Sequence, residues 1–171
     1  KPSQTDSSSS ATHQLVVVRV TNDQVTISVD SSGTLLHKRG YRKAIAKAPL
    51  RETLAAAIIM ASGWDKKSSL LDPFCGSGTI PIEAAMMALG IPPGRNRSFA
   101  FMDWPNYDEK LWKTIHGQLS TVYGQPSITG SDLDAGAVRM ALSNAERAGV
   151  AEYVHFEQHA VSDIHPPKEN G

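Results

Sequence analysis

Two short runs of β-branched residues stand near the start of the chain. They are Leu15–Val20 (LVVVRV) and Gln24–Asp30 (QVTISVD), and the second run alternates apolar with polar residues. Thr-Asn-Asp separates the two runs, and Ser-Ser-Gly follows the second. Such runs, joined by a short polar turn, are typical of paired antiparallel strands. The pattern therefore predicts a β-hairpin.

A helical pattern begins at Pro49. Proline suits the first turn of a helix, and Gly63 is placed to end this one. The apolar residues that share one face of this stretch are Leu50, Leu54, Ala57, Ile58 and Ala61. Ser68–Phe74 (SSLLDPF) then predicts a short buried strand, and Thr79–Gly90 (TIPIEAAMMALG) predicts a second helix.

A longer connection over residues 91–125 contains one more helical pattern. Asn106, followed three residues later by Glu109, resembles a capping box at a helix start. The apolar positions that repeat at helical spacing are Leu111, Trp112, Ile115, Leu119 and Val122. We attribute the aromatic residues Trp104, Tyr107 and Trp112 to packing of this insertion, with a place on the substrate side as the alternative.

Strand and helix patterns alternate in the last part of the chain. Ser127–Asp134 (SITGSDLD) predicts a strand, the next helix is capped by Asp134 and ended by Gly149, and Tyr153–Val161 (YVHFEQHAV) predicts a final strand. Strands that alternate with helices form parallel sheets with crossover helices. The sequence therefore predicts an α/β fold with a parallel sheet, preceded by the hairpin.

Composition and charge limit the function classes. The 17 basic and 17 acidic residues cancel, so any contact with nucleic acid must come from a local patch. A single cysteine, Cys75, excludes an internal disulfide framework and a cysteine zinc site. No apolar run reaches the roughly 18 residues of a membrane span. We therefore expect a soluble protein, cytoplasmic or, in a eukaryote, organellar or nuclear. The six histidines show no metal-ligand spacing, so we expect no metal site.

The two ends of the sequence differ in character from the rest. Residues 1–14 are polar and serine-rich, which is typical of a flexible tail. The final His-Pro-Pro-Lys-Glu-Asn-Gly comes directly after a strand pattern. Because an α/β domain rarely finishes at that point, we expect a fragment of a larger domain.

The segment Leu70–Ala85 (LLDPFCGSGTIPIEAA) carries the candidate chemistry. A glycine turn between a strand and a helix allows a ligand to approach the backbone at the ligand-binding edge of an α/β sheet. A phosphate-binding P-loop would need a Gly-Lys-Ser/Thr sequence that this turn does not contain. A nicotinamide or flavin site would need a third glycine where Pro81 stands and an acid about 20 residues on. Both interpretations are weak.

S-adenosylmethionine fits the turn better than a dinucleotide does. The carboxylate of Asp72 would repel a pyrophosphate, whereas this donor carries a cationic sulfonium and an ammonium group. In this interpretation Asp72 lies near the amino group, Gly76 and Gly78 allow close approach, and Asp132 accepts hydrogen bonds from the ribose hydroxyls. The structural alternative is that Asp72 caps the following helix and Asp132 caps a turn.

Four blocks of sequence, in order and spacing, resemble the THUMP-associated RNA guanine-N2 methyltransferases. The blocks are LLHKRGYRKAIAKAPLRETLAAAIIMASGW, LLDPFCGSGTIPIEAAMMALG, PPGRNRSFAFMDWP and ITGSDLDAGAVRMALSNAERAGV. The resemblance implies a Rossmann-like methyltransferase fold that acts on ribosomal or transfer RNA. It also implies three regions: a tail over 1–14, a hairpin linker from the end of a THUMP-type module over 15–48, and the N-terminal part of the methyltransferase domain over 49–171.

The same resemblance implies a donor site and two departures from the family pattern. The residues implied to bind S-adenosylmethionine are Thr53, Asp72, Pro73, Phe74, Cys75, Gly76, Ser77, Gly78, Thr79, Asp132 and Leu133. Family members carry an acid near the adenine where Ala160 stands here, so Asp163 would have to substitute for it. The Asn-Pro-Pro-Tyr motif expected beyond the last strand is absent from the sequence.

The absent motif bears on catalysis. The exocyclic amine of guanine is a poor nucleophile, and in the family the Asn side chain and a Pro carbonyl accept its hydrogens while the aromatic ring stacks on the flipped base. We therefore predict no catalytic residue in this chain and no activity of the chain alone. The alternatives are an amino-group methyltransferase acting on DNA adenine, and a non-catalytic RNA-binding or partner subunit.

Two further features have competing interpretations. A cysteine within the donor loop faces the cofactor rather than a base, so Cys75 is interpreted as a small loop residue and not as a nucleophile. The basic cluster of Lys38, Arg39, Arg42, Lys43 and Lys47 can contact RNA phosphates, with Tyr41 as a stacking face. The alternative for this cluster is a solvated face.

Overall fold

A computed structural model describes residues 14–42, 50–118 and 122–164 of the chain. These residues form two compact units, one of residues 14–35 with 98–108 and the other of residues 36–97 with the described residues after 108. The regions predicted over 1–14, 15–48 and 49–171 stay a prediction. No helix in the described ranges is long and apolar enough to cross a membrane.

The first unit contains the predicted hairpin. Strand β1 (Val16–Thr21) pairs antiparallel with β2 (Gln24–Val29), and the turn between them places Asn22 and Asp23 at positive φ. Residues 98–108 complete the unit through a hydrogen bond from the Phe101 amide to the Ser31 carbonyl, 3.1 Å long. The two strands predicted from the β-branched runs are therefore confirmed.

The second unit is built on a parallel sheet. Its strands are β3 (Leu70–Asp72), β4 (Ile128–Asp132) and β5 (Val154–Gln158), in the order β3-β4-β5. Both pairs are parallel, and the register places Asp72 beside Gly130 and Gly130 beside Phe156. The predicted class, α/β with a parallel sheet and crossover helices preceded by a hairpin, is confirmed.

In the part of the chain that the structure describes, four α-helices accompany the sheet: α1 (Glu52–Ala61), α2 (Thr79–Ala88), α3 (Glu109–Gln118) and α4 (Ala135–Ala148). Helix α4 has the predicted termini. The Asp134 side chain accepts a hydrogen bond from the Gly136 amide, and Gly149 adopts the left-handed conformation at the other end. Helix α2 is buried almost all round, with its residues packed against α1, α4 and the sheet.

Two predicted helix details are wrong. Helix α1 buries Ala55, Ala56 and Ile59, whereas Leu54 and Ile58, on the predicted apolar face, are exposed. Because nearly every residue of this helix is apolar, periodicity cannot identify its buried face. Helix α3 begins at Glu109, so Asn106 lies in the preceding turn and is not its cap.

The end predicted for helix α3 also needs correction. Val122 lies outside the helix, in irregular structure, although it continued the helical spacing. Several predictions fall on residues outside the described ranges. These residues are Leu119, the predicted helix start at Pro49, Lys43, Lys47 and the His-Pro-Pro-Lys segment.

The core of the second unit lies between the sheet and helices α2 and α4. Its buried apolar residues include Ile82 from α2, Ala141 and Ala145 from α4, and Ile128 and Phe156 from the sheet. Many of the helix residues in this core are alanines, which allows the helices to approach the sheet closely. This packing fixes the turn between β3 and α2 in position.

Candidate functional site

The turn between β3 and α2 (residues 73–78) is held by its own backbone and by β4. The Cys75 amide donates to the Ser131 carbonyl at 2.8 Å, and the Gly78 amide donates to the Cys75 carbonyl at 2.8 Å. Gly76 and Gly78 have φ values of 54° and 81°. Both lie in the left-handed region that side chains disfavour, so the turn requires glycine at these two positions.

The two glycines of the turn have different surroundings. A Cβ added to Gly78 would lie 2.9 Å from Ala141 Cβ and 2.9 Å from Phe156 Cζ, so this glycine is needed for packing against α4 and β5. A Cβ added to Gly76 would meet nothing within 4 Å. The prediction that both glycines leave room for a ligand therefore needs correction, because only Gly76 borders open space.

Two carboxylates lie at the ends of neighbouring strands beside this turn. Asp72 accepts a hydrogen bond from the Phe74 amide at 3.1 Å. Asp132 accepts from the Gly76 amide through Oδ2 and from the Asp134 amide through Oδ1, each at 2.9 Å. The contacts of Asp132 are the turn-capping ones of the structural alternative, whereas Asp72 does not cap helix α2, whose N-cap is Gly78 without a side-chain hydrogen bond. Each oxygen retains acceptor capacity, because a carboxylate has about four lone-pair sites.

The electrostatics of these carboxylates favour a ligand with positive charge or hydrogen-bond donors. In the described ranges neither carboxylate forms an ion pair with a lysine or arginine. Burial raises the pKa of Asp72, the Phe74 amide partly offsets this, and the nearby Asp132 charge raises the pKa further. A cation placed here would relieve both the desolvation and the repulsion.

Three large apolar side chains are exposed where the strands end. Phe74 and Leu133, both predicted, follow β3 and β4 and are each 72% exposed. Val161 follows β5 and is also exposed, and the sequence analysis did not select it. Its signal was available, since it is an apolar residue just after a strand end. These residues could cover the faces of a planar ring bound at this edge of the sheet.

The other predicted residues of the turn are mostly covered. Cys75, Ser77 and Thr79 are buried, and the Ser77 carbonyl accepts a hydrogen bond from the buried Asn144 side chain at 3.0 Å. Burial raises the pKa of the Cys75 thiol to about 12, and the charges of Asp72 and Asp132 contribute. A thiol in this state supplies little thiolate, which agrees with its interpretation as a small loop residue.

Two predicted site residues, Thr53 and Asp163, lie outside the turn. Thr53 is exposed in the first turn of α1. Asp163 ends a short 3₁₀ helix, accepts a hydrogen bond from Ser162 Oγ at 2.9 Å, and lines a cavity of about 330 Å³ with Ser131 and Glu157. Contact of Asp163 with an adenine ring stays a prediction.

The predicted basic RNA-binding cluster is largely committed to other contacts. Tyr41 is 1% exposed and donates its hydroxyl hydrogen to Glu83, so its proposed stacking face is covered. Burial and the Glu83 charge raise the pKa of the Tyr41 hydroxyl. Arg39 pairs with Glu83, and Arg42 pairs with Glu52. Lys38 is exposed, and its contact with RNA stays a prediction.

The described part of the chain contains no group of three or more His, Cys, Asp or Glu side chains that could hold a metal ion. The candidate site is therefore a glycine turn, two strand-end carboxylates and exposed apolar side chains. These groups can bind and orient a cationic ligand with hydroxyl groups. None of them is an evident acid, base or nucleophile for its reaction.

Comparison with known proteins gives a consistent result. Residues 39–171 match the UPF0020 family, an RMKL-like methyltransferase domain. The ribosomal RNA large subunit methyltransferase K/L of Psychromonas ingrahamii is 46% identical over 159 residues, which are 88% of this chain and 21% of that protein.

Solved structures agree with the fold. The crystal structure of SMU.472 complexed with SAH superposes with a TM-score of 0.82 at 38% identity, covering 92% of this chain and 42% of the other. A predicted N6-adenine-specific DNA methylase from Listeria monocytogenes superposes with a TM-score of 0.78 at 37% identity, covering 89% and 41%. This chain thus spans less than half the length of each of these relatives.

Proposed function

Since the chain belongs to the RMKL-like methyltransferase family, we propose that it is the S-adenosylmethionine-binding part of an RNA methyltransferase. The observation that carries the proposal is the pair of strand-end carboxylates, Asp72 and Asp132, on either side of a glycine turn that is open at Gly76. The relative SMU.472, which shares this fold, was crystallised with SAH. A demethylated donor in a relative supports the same ligand class for this site.

Each group has a role that follows from its position. Asp72, whose pKa is raised by burial and by the neighbouring charge, attracts the ammonium group of the donor. Asp132 accepts hydrogen bonds from the ribose hydroxyls while it holds the Gly76 amide. Gly76 lets the methionine part approach the backbone, and Leu133 and Val161 pack against the adenine. The bound donor supplies an electrophilic methyl group, and these residues fix where it points.

We place the transfer of the methyl group in a longer protein. This sequence contains no Asn-Pro-Pro-Tyr motif and spans 21% of the length of its ribosomal RNA methyltransferase relative. The proposed reaction is methyl transfer to the exocyclic N2 amine of guanine in ribosomal or transfer RNA, in the cytoplasm. Orientation of the amine needs an Asn-Pro-Pro-Tyr-type motif, which this sequence does not contain, so we expect the chain alone to transfer no methyl group.

A second candidate substrate is DNA adenine. It is favoured by the similarity to the Listeria protein, whose name specifies an N6-adenine-specific DNA methylase. Guanine N2 and adenine N6 are both exocyclic amines with delocalised lone pairs, so the same donor geometry serves both. The donor site described above does not distinguish the two acceptors.

The acceptor is tested by methyl transfer from labelled S-adenosylmethionine. The enzyme is a longer protein that contains this chain and is as long as its relatives. The substrates are unmodified ribosomal RNA, transfer RNA and DNA. The proposal predicts label in RNA, recovered as N2-methylguanosine after digestion, and none from the 171-residue chain. Label in DNA as N6-methyladenine would instead establish the second candidate.

A further inference from the structure

Residues 39–42, at the end of the first described range, turn their large side chains into the second unit. The side chains of Arg39 and Arg42 are each 12% exposed, and Tyr41 is 1% exposed. Arginine is seldom covered to this extent unless it is paired. The contacts of Arg42 differ from those of Arg39 and Tyr41, because one of them reaches Thr79, which directly follows the glycine turn.

Arg42 joins three parts of the chain. One guanidinium nitrogen donates to the Leu50 carbonyl at 2.9 Å and also to the Thr79 hydroxyl. A second nitrogen lies 3.8 Å from the carboxylate of Glu52, in the first turn of α1. Thr79 is the first residue of α2 and directly follows Gly78. Arg42 therefore connects Thr79, the residue that directly follows the turn, to the start of helix α1.

Thr79 and Glu52 are both deeply buried, at 5% and 4% exposed. In the described ranges Glu52 Oε2 and Arg42 Nε are covered and have no hydrogen-bond partner. Neither charge can be removed alone without leaving the other buried and uncompensated. The planar guanidinium group meets several acceptors at once, which the single ammonium group of a lysine cannot do with the same geometry.

The turn is held by hydrogen bonds to β4, and Arg42 adds a contact at Thr79, the residue that follows the turn. Two of its residues, Gly76 and Gly78, are glycines at positive φ, and glycine loses more conformational freedom on ordering than any other residue. A site that is ordered before the ligand arrives binds it more tightly, because less entropy is lost on binding. An anchor at Thr79 would add to the order that the hydrogen bonds with β4 already give the turn.

A second arginine offers an internal comparison. Arg39 lies 3.4 Å from Glu83, which also accepts the Tyr41 hydroxyl at 3.1 Å. Glu83 lies one helical turn after Thr79 in α2, so this contact holds the same segment to the same helix. It does not touch the turn. The two arginines are equally exposed, but only Arg42 contacts Thr79.

We propose that Arg42 is a positioning residue for the donor turn: through the Thr79 hydroxyl it holds residues 76–79 in the conformation that binds S-adenosylmethionine. The inference rests on the proposed function for its ligand. It assigns Arg42 to donor binding, although the basic cluster around it was expected to contact RNA. It also explains why a threonine stands at the buried start of α2.

The first test compares R42K with R39K, since each change keeps the charge and removes the guanidinium fork. Hydrogen exchange is followed for amides 76–79 of the ligand-free chain, and S-adenosylhomocysteine is titrated by calorimetry. We expect R42K to speed exchange at these amides and to weaken binding by about tenfold, the loss of roughly one charge-assisted hydrogen bond. R39K should leave the exchange of amides 76–79 and the affinity within about twofold of the wild type.

A second pair of variants keeps the test decisive if R42K fails to fold. Thr79→Val removes the hydroxyl with little change of shape, and Thr79→Ser retains it. We expect Thr79→Val to reproduce the R42K result and Thr79→Ser to restore binding. Equal exchange and equal affinity in R42K and R39K, or normal binding by Thr79→Val, would overturn the inference.

The two readouts separate this inference from the proposed function. Failure of the folded wild-type chain to bind S-adenosylhomocysteine would contradict the proposed function. The exchange of amides 76–79 would still decide whether Arg42 orders the turn. Binding by the wild type that R42K and Thr79→Val do not weaken would leave the function standing and contradict the inference.

Discussion

The hairpin and the parallel sheet are built from the same kind of residue but differ in what covers them. Val16, Val18 and Val20 of β1 share one face with Val25, Ile27 and Val29 of β2, as the register shows, and all six are 49–68% exposed. In the parallel sheet Ile128 is 2% exposed and Val154 is 6% exposed, beneath helices α2 and α4.

This difference shows what a β-branched pattern does and does not predict. Such residues suit an extended backbone in both places, because branching at Cβ restricts χ1 and fits the pleated surface of a strand. Burial depends on a second layer, which the crossover helices supply for the parallel sheet. A strand can therefore be predicted from the pattern without any knowledge of its cover. The following variants test whether covered and uncovered positions behave as this comparison requires.

The largest difference is expected between two glycines at positive φ. In Gly78→Ala the new Cβ lies 2.9 Å from Ala141 and Phe156 atoms, whereas in Gly33→Ala of the hairpin unit the nearest atom is 3.4 Å away. Both variants incur backbone strain, and only the first overpacks a core. We expect Gly78→Ala to lower the free energy of unfolding by about 3 kcal/mol and Gly33→Ala by about 1 kcal/mol, measured by denaturant titration.

Equal losses from the two glycine variants would contradict the different surroundings assigned to them. Gly63→Ala is a further control, since Gly63 has φ +72° and nothing within 4 Å of an added Cβ. It should resemble Gly33→Ala.

Thiol reactivity should differ almost as strongly. Cys75 is 6% exposed, and burial raises the pKa of its thiol to about 12. Alkylation by iodoacetamide at pH 8 should be at least ~100-fold slower than for a free cysteine, because both access and thiolate are scarce. The comparison protein carries both Cys75→Ser and Thr26→Cys, which moves the single cysteine of the sequence to the exposed hairpin. Rapid labelling of the native Cys75 would show that the turn opens readily.

An identical substitution in each sheet gives the next largest contrast. Val154→Thr places a hydroxyl at a 6% exposed position, and Val18→Thr places one at a 59% exposed position. Threonine retains the β-branched shape, so the difference isolates burial. We expect a loss of about 2 kcal/mol for Val154→Thr and a change within about 0.5 kcal/mol for Val18→Thr in denaturant unfolding. A large loss for Val18→Thr would mean that the hairpin face is covered.

The smallest effects concern two aspartates with opposite pKa shifts. Burial raises the pKa of Asp72 in the folded chain, so its ionisation costs stability as the pH rises through that raised value. Backbone hydrogen bonds from Ser68 and Lys67 lower the pKa of Asp65 to about 2, so its contribution is present above pH 4 and is lost between about pH 4 and 2.

Substitution by asparagine should therefore act in opposite directions. At pH 7, Asp72→Asn should raise the melting temperature because it removes a buried charge, and Asp65→Asn should lower it. Both differences from the wild type should shrink as the pH falls to 3. A loss of stability in Asp72→Asn at pH 7 would show that its charge is compensated in the folded chain.

Much of the second unit could be predicted because its signals are local. Strands β3 to β5 and the ends of helix α4 follow from apolar runs and from the capping residues Asp134 and Gly149. The start of α3 could not, because Asn106 and Glu109 match a capping pattern that a nearby turn overrides. Local propensity is a weak guide to such starts, because the surrounding structure routinely overrides it.

The candidate site was predicted in part for the same reason. Asp72, Asp132 and the glycine turn were found because they follow strand ends in the sequence. The inward direction of Tyr41 and Arg42 was missed, because it depends on their partners Glu83 and Glu52, which lie in helices α2 and α1 and are not indicated by the spacing of the basic cluster. Likewise, spacing cannot distinguish Gly78, which is required by packing, from Gly76, which borders open space.

The most direct test of the account is calorimetric titration of S-adenosylmethionine into this chain, with Asp132→Ala and Gly76→Val measured beside it. Folding of each protein is checked first by circular dichroism. The account predicts micromolar binding by the wild type, abolished in both variants, since one removes the ribose acceptor and the other fills the open side of the turn. No binding by the folded wild type, or equal binding by all three proteins, would contradict the donor site.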